Sequence, residues 1–449
     1  MHRILSSIFP SLAQPGRETK SSKKILNSLL LHFRPRTVDE RTLRFTLTWG
    51  LGGMAAVLVL LLFCSGIMLK FVYEPSPTRA YESIIYLQNS IILGQLTRNI
   101  HHWSGNILLL IVFLHFQRVF FTGAYRGPRQ FNWIIGLGLL GGVFLSAFTG
   151  YLLPWDQLGF WAITICTTML EYVPVVGKWL KESIQGGPEM GPAILTNFYA
   201  IHTAVMPAIL VFLLGFHFWR VRKAKGLVIP RSPEESQETR GEPVSSIPNL
   251  LVREVAVGLA LLAFVLLFAM LFNAPLEGKA NPGLSPNPTK APWYFLGLQE
   301  LLMHFHPLFS LVIIPALVGF FLLAIPYLNY RDDDASGVWF YSNRGRKISL
   351  VAALVAAVLT TFGVAANEYL LDFTALLPGF PDAVGNGLIP FVLCLLVLSG
   401  FYAIIKKKYS ASKQEMVQAI FVFLLTSFVV LTITGIWFRG AGMKLVWPG

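Results

Sequence analysis

Four histidines carry the plainest chemistry in this sequence. His101 and His115 stand 14 residues apart in "RNIHHWSGNILLLIVFLHFQR", and His202 and His217 stand 15 apart in "FYAIHTAVMPAILVFLLGFHFWR". At 1.5 Å rise per residue, either gap is roughly 21–22 Å of helix and close to four turns. Each pair therefore lies near one helix face at two depths. Neutral imidazole is a common axial ligand of iron. Two facing helices of this kind can hold two stacked haems, each gripped by one imidazole from each helix. His102 points about 100° away from His101 and has no partner 14 residues on, where Phe116 stands.

Other residues repeat the pattern. Gly52 and Gly66 are 14 apart, as are Gly136 and Gly150. Glycine at these levels leaves room for a haem edge that a Cβ would block; ordinary small-residue helix packing is the plainer alternative. Arg98 lies three residues before His101, and Arg118 three after His115. Each is one turn toward a membrane surface, where haem propionates need a cation. Arg220 and Arg222 follow His217 similarly.

The elements that position these residues are apolar spans. The chain of 449 residues is 54% hydrophobic and 13% charged, with mean hydropathy +0.59. Soluble domains carry about a quarter charged residues, so the composition implies an all-α polytopic membrane protein. Nine spans are expected, at roughly 46–70, 98–121, 131–152, 196–219, 250–272, 308–328, 347–368, 387–406 and 415–438. The expected organisation is a basic tail (1–45), a four-helix haem-binding domain (46–225), a Pro- and Ser-rich linker (226–249), a C-terminal domain (250–370) and two further helices (371–449). About five spans thus follow the bundle. The tail shows no cleavable signal pattern, and Ile25–Phe33 reads as an amphipathic surface segment.

Charge placement sets the orientation. With alternating sides, 27 of the 36 Lys and Arg residues fall on the side of the N-terminus and 9 on the other. The positive-inside rule puts the first side in the cytoplasm. The net charge of +13 then reports topology, not nucleic acid binding. His101 and His202 fall near the outer face, and His115 and His217 near the inner one. The three cysteines, Cys64, Cys166 and Cys394, are scattered and form no CxxC or CxxCH. That argues against covalent c-type haem by the usual motif and against a Cys-ligated iron–sulfur cluster.

At this point the chain resembles the cytochrome b of cytochrome bc and b–f complexes. "RNIHHWSGN…LHFQR", "GYLLPWDQLGFWA" and "NFYAIHTAVMP…HFWRVRKAKG" are similar to that family's second, third and fourth helices. "APWYFLGLQELL" looks like its Pro-Glu-Trp-Tyr segment. The 15-residue gap resembles the plastid-type split form. The resemblance covers roughly residues 40–370. It implies a quinol:electron-acceptor oxidoreductase with two non-covalent b-type haems, one held by His101 and His202 near the outer face, the other by His115 and His217. Quinol would be oxidised at an outer, periplasmic pocket between Tyr151–Trp161 and Pro292–Glu300. One electron would pass to a separate Rieske iron–sulfur protein, and the other through the haems to an inner quinone near Arg222, Arg253 and Glu254. The implied partners are the Rieske protein, a c-type cytochrome subunit, quinone and the lipid bilayer. A dimeric, proton-motive complex in a bacterial or archaeal cytoplasmic membrane is implied too.

Two departures stand out. Pro292 replaces the Pro-Glu-Trp-Tyr glutamate, so the expectation is that Glu300, eight residues on, takes the quinol proton, with Trp293 and Tyr294 at the pocket. Asp156 is a second acceptor or a helix cap. Gly50 stands where the split form has the cysteine of an extra covalent haem, so two haems are expected, not three. The C-terminal "WFRGAGMKLVWPG" is expected on the outer face, docking a partner. The competing reading is a b-type haem anchor of a periplasmic dehydrogenase. That class does not require the "LPWDQ" or "WYFLGLQE" segments.

Overall fold

The computed structural model describes residues 37–231, 241–330 and 336–447. Its main helices are α1 (Leu51–Lys70), α2 (Gly94–Phe121), α3 (Gln130–Tyr151), α4 (Pro192–Lys223), α5 (Ser246–Leu271), α6 (Leu296–His304), α7 (Leu308–Tyr327), α8 (Asn343–Tyr369), α9 (Ala383–Tyr409) and α10 (Lys413–Trp437). All but α6 are long and apolar enough to cross a membrane, giving nine candidate spans among the described residues. A helix suits such runs because it satisfies every backbone polar group internally, which hydrocarbon demands. The expected spans are all present. Ile25–Phe33 lies outside the described residues.

Three helices contain a π-helical turn: Ile201–Val205 in α4, Leu308–Ile313 opening α7 and Ala383–Leu388 opening α9. In each, a proline follows the turn by two residues: Pro207, Pro315 and Pro390. Proline has no N–H to donate, and its ring clashes with the carbonyl four residues back. Widening the preceding turn relieves both problems.

The chain forms two compact units. The first holds residues 37–151, 198–275 and 326–342. In it α1 packs on α2, α2 on α3 and α3 on α4, with α5 against α1 and α2. Buried Asn99 ties α2 to the end of α5: its Nδ2 donates to Ala269 O (2.9 Å), and its Oδ1 accepts from Ala274 N (2.9 Å). Gly50 caps α1 at φ +66°, and a Cβ there would come within 3.0 Å of Val257. That left-handed turn favours glycine at the position where the split form carries cysteine.

The sequence boundary at 225/226 does not coincide with the edge of this unit, which runs on through α5 to Pro275. Described parts of the expected linker are ordered. Pro243–Ser245 pairs antiparallel with Thr37–Asp39, and α5 begins at Ser246. Residues 232–240 lie outside the described residues.

The second unit holds residues 152–197, 276–325 and 343–447. Helix α10 is its centre, packed against α8, α6 and α9. A capping box starts α10: Ser412 accepts from Glu415 N, and the Glu415 carboxylate accepts from Ser412 N.

Candidate functional site

The four histidines occupy the first unit, and each lies against one of the four spaced glycines. A Cβ on Gly66 would fall 3.2 Å from His101 Cε1, and one on Gly52 3.3 Å from His115 Cε1. On Gly150 it would fall 2.6 Å from His202 Cε1, and on Gly136 3.8 Å from His217 Cε1. In the structure these glycines lie against the imidazoles themselves. α1 receives the rings of α2, and α3 receives those of α4.

The unequal spacings are reconciled by backbone. His202 sits in the π-helical turn of α4, which takes up one extra residue relative to an α-helix. The 15-residue interval then presents its two histidines as a 14-residue interval does.

His101 and His202 face each other with ring centroids 6.2 Å apart. Two metal–nitrogen bonds of roughly 2 Å, plus the reach from each ring centre to its nitrogen, fill that distance. Neighbours fix the opposite ring nitrogens. Ser65 Oγ lies 2.9 Å from His101 Nδ1, and His202 Nδ1 lies 2.9 Å from Ser146 O. Among the described residues no Nε2 of the four makes a hydrogen bond. This donor set fits bis-imidazole ligation of haem iron, with a second sphere that sets ring orientation. Ser65 and Ser146 were not singled out from sequence; their only signal is proximity to Gly66 and Gly150.

The arginines differ. Arg118 Nε donates to Leu47 O at 2.7 Å, while its buried Nη2 has no partner. A buried guanidinium nitrogen left this way fits an anionic propionate. Arg98 instead donates to Ala274 O (2.8 Å) and Pro275 O (2.6 Å), clamping α2 to the chain beyond α5. Arg220 Nη2 reaches Pro128 O at 3.4 Å. Arg222 lies in the last turn of α4, and Glu254 follows Arg253, whose Nη1 donates to Leu43 O.

The second unit holds the segments expected at the quinol pocket. Asp156 caps the helix Gln157–Met169 by accepting from Gly159 N (2.9 Å), and it also accepts from Glu277 N (3.2 Å). Of its two expected roles the structure displays the cap. Ala280 N donates to Trp155 O and Trp161 Nε1 to Asn281 O, so residues 277–281 are docked on the "LPWDQLGFW" segment. Tyr294 is buried and Trp293 is 41% exposed. Gln299 pins the loop ahead of them, accepting from Ala291 N and donating to Thr289 O.

Glu300 is not a free carboxylate. Its side chain is fully buried, and Arg439 Nε and Nη2 donate to it at 3.0–3.1 and 2.6 Å. His304 Nε2 lies 3.1 Å from the same carboxylate, and His304 Nδ1 lies 2.7 Å from Asn367 Oδ1. Burial pushes the carboxyl upward, but hydrogen bonds from His304 and Arg439, with their charge, hold it below the ordinary range. The carboxylate expected to take the quinol proton is thus paired with Arg439 and His304. Arg439 and Glu368 were missed because 139 residues separate Glu300 from Arg439 and no periodicity links them; His304 was missed although it stands one helical turn from Glu300.

Among the described residues, nine helices are long and apolar enough to cross a membrane, and an imidazole pair faces across a bundle, an arrangement that fits a membrane cytochrome of the b type. Comparison with known proteins places it further. Residues 106–286 match the family described as "Cytochrome b(N-terminal)/b6/petB". The chain is 39% identical over 173 residues to the cytochrome b6 of Prochlorococcus marinus (strain NATL1A), covering 38% of this chain and 79% of that protein. It is 40% identical over 173 residues to the cytochrome b6 of Prochlorothrix hollandica, covering 38% and 78%. A solved structure titled "Hyperthermophilic respiratory Complex III" shares the fold, with TM-score 0.63 and 24% identity over 93% of this chain and 98% of that one. The chain belongs to the cytochrome b family, which implies b-type haem.

Proposed function

We propose that this chain is the cytochrome b subunit of a quinol:electron-acceptor oxidoreductase of the cytochrome bc type. His101 with His202 would hold one b-type haem, and His115 with His217 a second. When bound, the haems supply one-electron carriers at two membrane depths. The chain's own residues orient and enclose them. Ser65 and Ser146 hold Nδ1 of His101 and His202, the four glycines admit the rings, Arg118 offers a cation, and the apolar helices exclude water.

Quinol would bind on the outer side beside Trp293 and Tyr294. Quinone would bind on the inner side near Arg222, Arg253 and Glu254. The bias of basic residues supports a cytoplasmic N-terminus and a periplasmic quinol site in a bacterial or archaeal membrane. A Rieske protein and a c-type cytochrome would complete a dimeric complex that contributes to proton-motive force.

The observation that carries this reading is the seating of four histidines on four glycines of the neighbouring helices. Pyridine haemochrome analysis tests it. Two haems b per chain, fully extracted by acidified acetone, are expected. One haem per chain, or haem that stays with the protein, contradicts the reading.

A further inference from the structure

The stretch that carries Trp293 and Tyr294 is held from its beginning to its end by the C-terminal part of the chain. At its start, Asn287 Oδ1 accepts from Gly442 N at 2.6 Å. Lys290 Nζ donates to Ile436 O, in the last turn of α10, at 2.9 Å. Two glycines then allow backbone-close packing. A Cβ on Gly435 would lie 3.2 Å from Leu296 Cβ, and one on Gly297 would lie 2.7 Å from the Phe428 ring and 2.5 Å from Thr432 Oγ1. At its end, Glu300 is locked to Arg439. Arg439 is itself braced, its Nη1 donating to Glu368 Oε2 on α8 (3.0 Å) and to Met443 O (2.8 Å). All these groups belong to the second compact unit. None falls within residues 106–286, the part that matches the family description.

We infer that residues 428–443 are a clasp that positions the Trp293–Tyr294 segment for quinol, with Arg439 as its positioning residue and Glu300 as its anchor. Residues 439–443 of the segment expected to dock a partner make these contacts within the chain. The reasoning is geometric. A loop bearing a substrate-facing aromatic pair is useful only if its backbone is fixed. Within the loop, Gln299 bonds Ala291 N and Thr289 O. The C-terminal segment adds two hydrogen bonds, two glycine contacts and one buried ion pair. A fully buried guanidinium that meets two carboxylates has few alternative positions, because losing either partner leaves a charge unpaired. The groups facing Glu300 are Arg439 from beyond α10 and His304 from α6. Asn367 and Glu368 of α8 close the network.

The inference rests on the quinol-oxidising role proposed above, so its test reads two things. The intact complex is compared as wild type, Arg439→Gln, Glu300→Gln and the double variant Glu300→Gln/Arg439→Gln. Duroquinol serves as the probe quinol. Arg439→Gln is expected to lower kcat/KM about tenfold, chiefly through KM, with haem content and haem spectrum unchanged. The double variant replaces the ion pair by two amides that can still hydrogen-bond, and it is expected to recover to within about threefold of wild type. A double variant as inactive as Glu300→Gln alone makes Glu300 a proton-handling group and overturns the clasp. Wild-type kinetics in Arg439→Gln also overturn it.

Amide hydrogen exchange across residues 287–300 decides the matter independently of turnover. Arg439→Gln is expected to lose protection there, and unchanged protection sinks the inference. If the wild-type complex fails to oxidise duroquinol, the functional reading fails. The exchange comparison still supports or overturns the clasp. Should Arg439→Gln fail to assemble, the double variant carries both measurements.

Discussion

At the scale of single residues, the site is a set of ring-and-glycine contacts whose tightness varies. Gly150 is the tightest, with a virtual Cβ 2.6 Å from His202, and Gly136 is the loosest at 3.8 Å from His217. Gly150→Ala must therefore displace a ligand ring, at a cost of about 1–3 kcal/mol for overpacking. Gly136→Ala meets ordinary contact distance. The expected outcome is loss of one haem per chain in Gly150→Ala and full haem content in Gly136→Ala, read by pyridine haemochrome. Equal haem content in the two variants would mean that the glycines serve helix packing alone. Sequence made the four histidines and four glycines legible because their spacing repeats. It did not show what the glycines face. A spacing specifies levels along a helix, whereas the choice of ring over haem edge depends on the distance between helices.

At the scale of elements, α4 and the clasp illustrate opposite degrees of legibility. The 15-residue interval fits the 14-residue interval of α2 only through the π-helical turn at Ile201–Val205, and Pro207 in the sequence is its cue. Deleting Val205 together with Pro207→Ala should turn that stretch into regular α-helix with both histidines still aligned, so two haems are expected to remain. Deleting one residue between His101 and His115, where α2 is regular helix, rotates one ligand by about 100° and should lose a haem. Haem content of the two deletions checks this, and the account is wrong if they behave alike.

The clasp had no such cue. Its ion pair joins a carboxylate on α6 to a guanidinium 139 residues away, and packing of α6 on α10 brings them together. Removing one partner of a fully buried pair costs about 3–5 kcal/mol, so Glu300→Leu should destabilise the second unit while Glu300→Gln does so less.

The pH dependence has a definite sign. The folded carboxyl of Glu300 is held below its ordinary 4.5, so its contribution is present above that value and is lost as pH falls through the depressed one. Exchange protection at residues 287–300 should therefore hold down to about pH 4.5 and decline below it. A decline starting at neutral pH would contradict this account of Glu300.

At the scale of the whole molecule, composition and charge placement carried most of the reading. Nine spans were legible because each is a long apolar run, and all nine appear among the described residues. The domain division was less legible. The two compact units exchange segments, with residues 152–197 belonging to the second and 326–342 to the first. A linear boundary at a polar linker cannot capture that interleaving. The nine candidate spans among the described residues should leave residues 37 and 447 on opposite sides of the membrane. Reporter fusions after Tyr409 and after Trp447 should accordingly report cytoplasmic and outer locations, and the reverse pattern would contradict the assigned orientation.

The central claim is that two imidazole pairs hold two electron carriers at different depths. A potentiometric titration of the intact complex, followed at the haem b absorbance, tests it most directly. Two one-electron components of similar amplitude are expected, with one of them missing in His202→Leu and the other missing in His217→Leu. A single component in the wild type, or loss of the same component in both variants, would contradict the account.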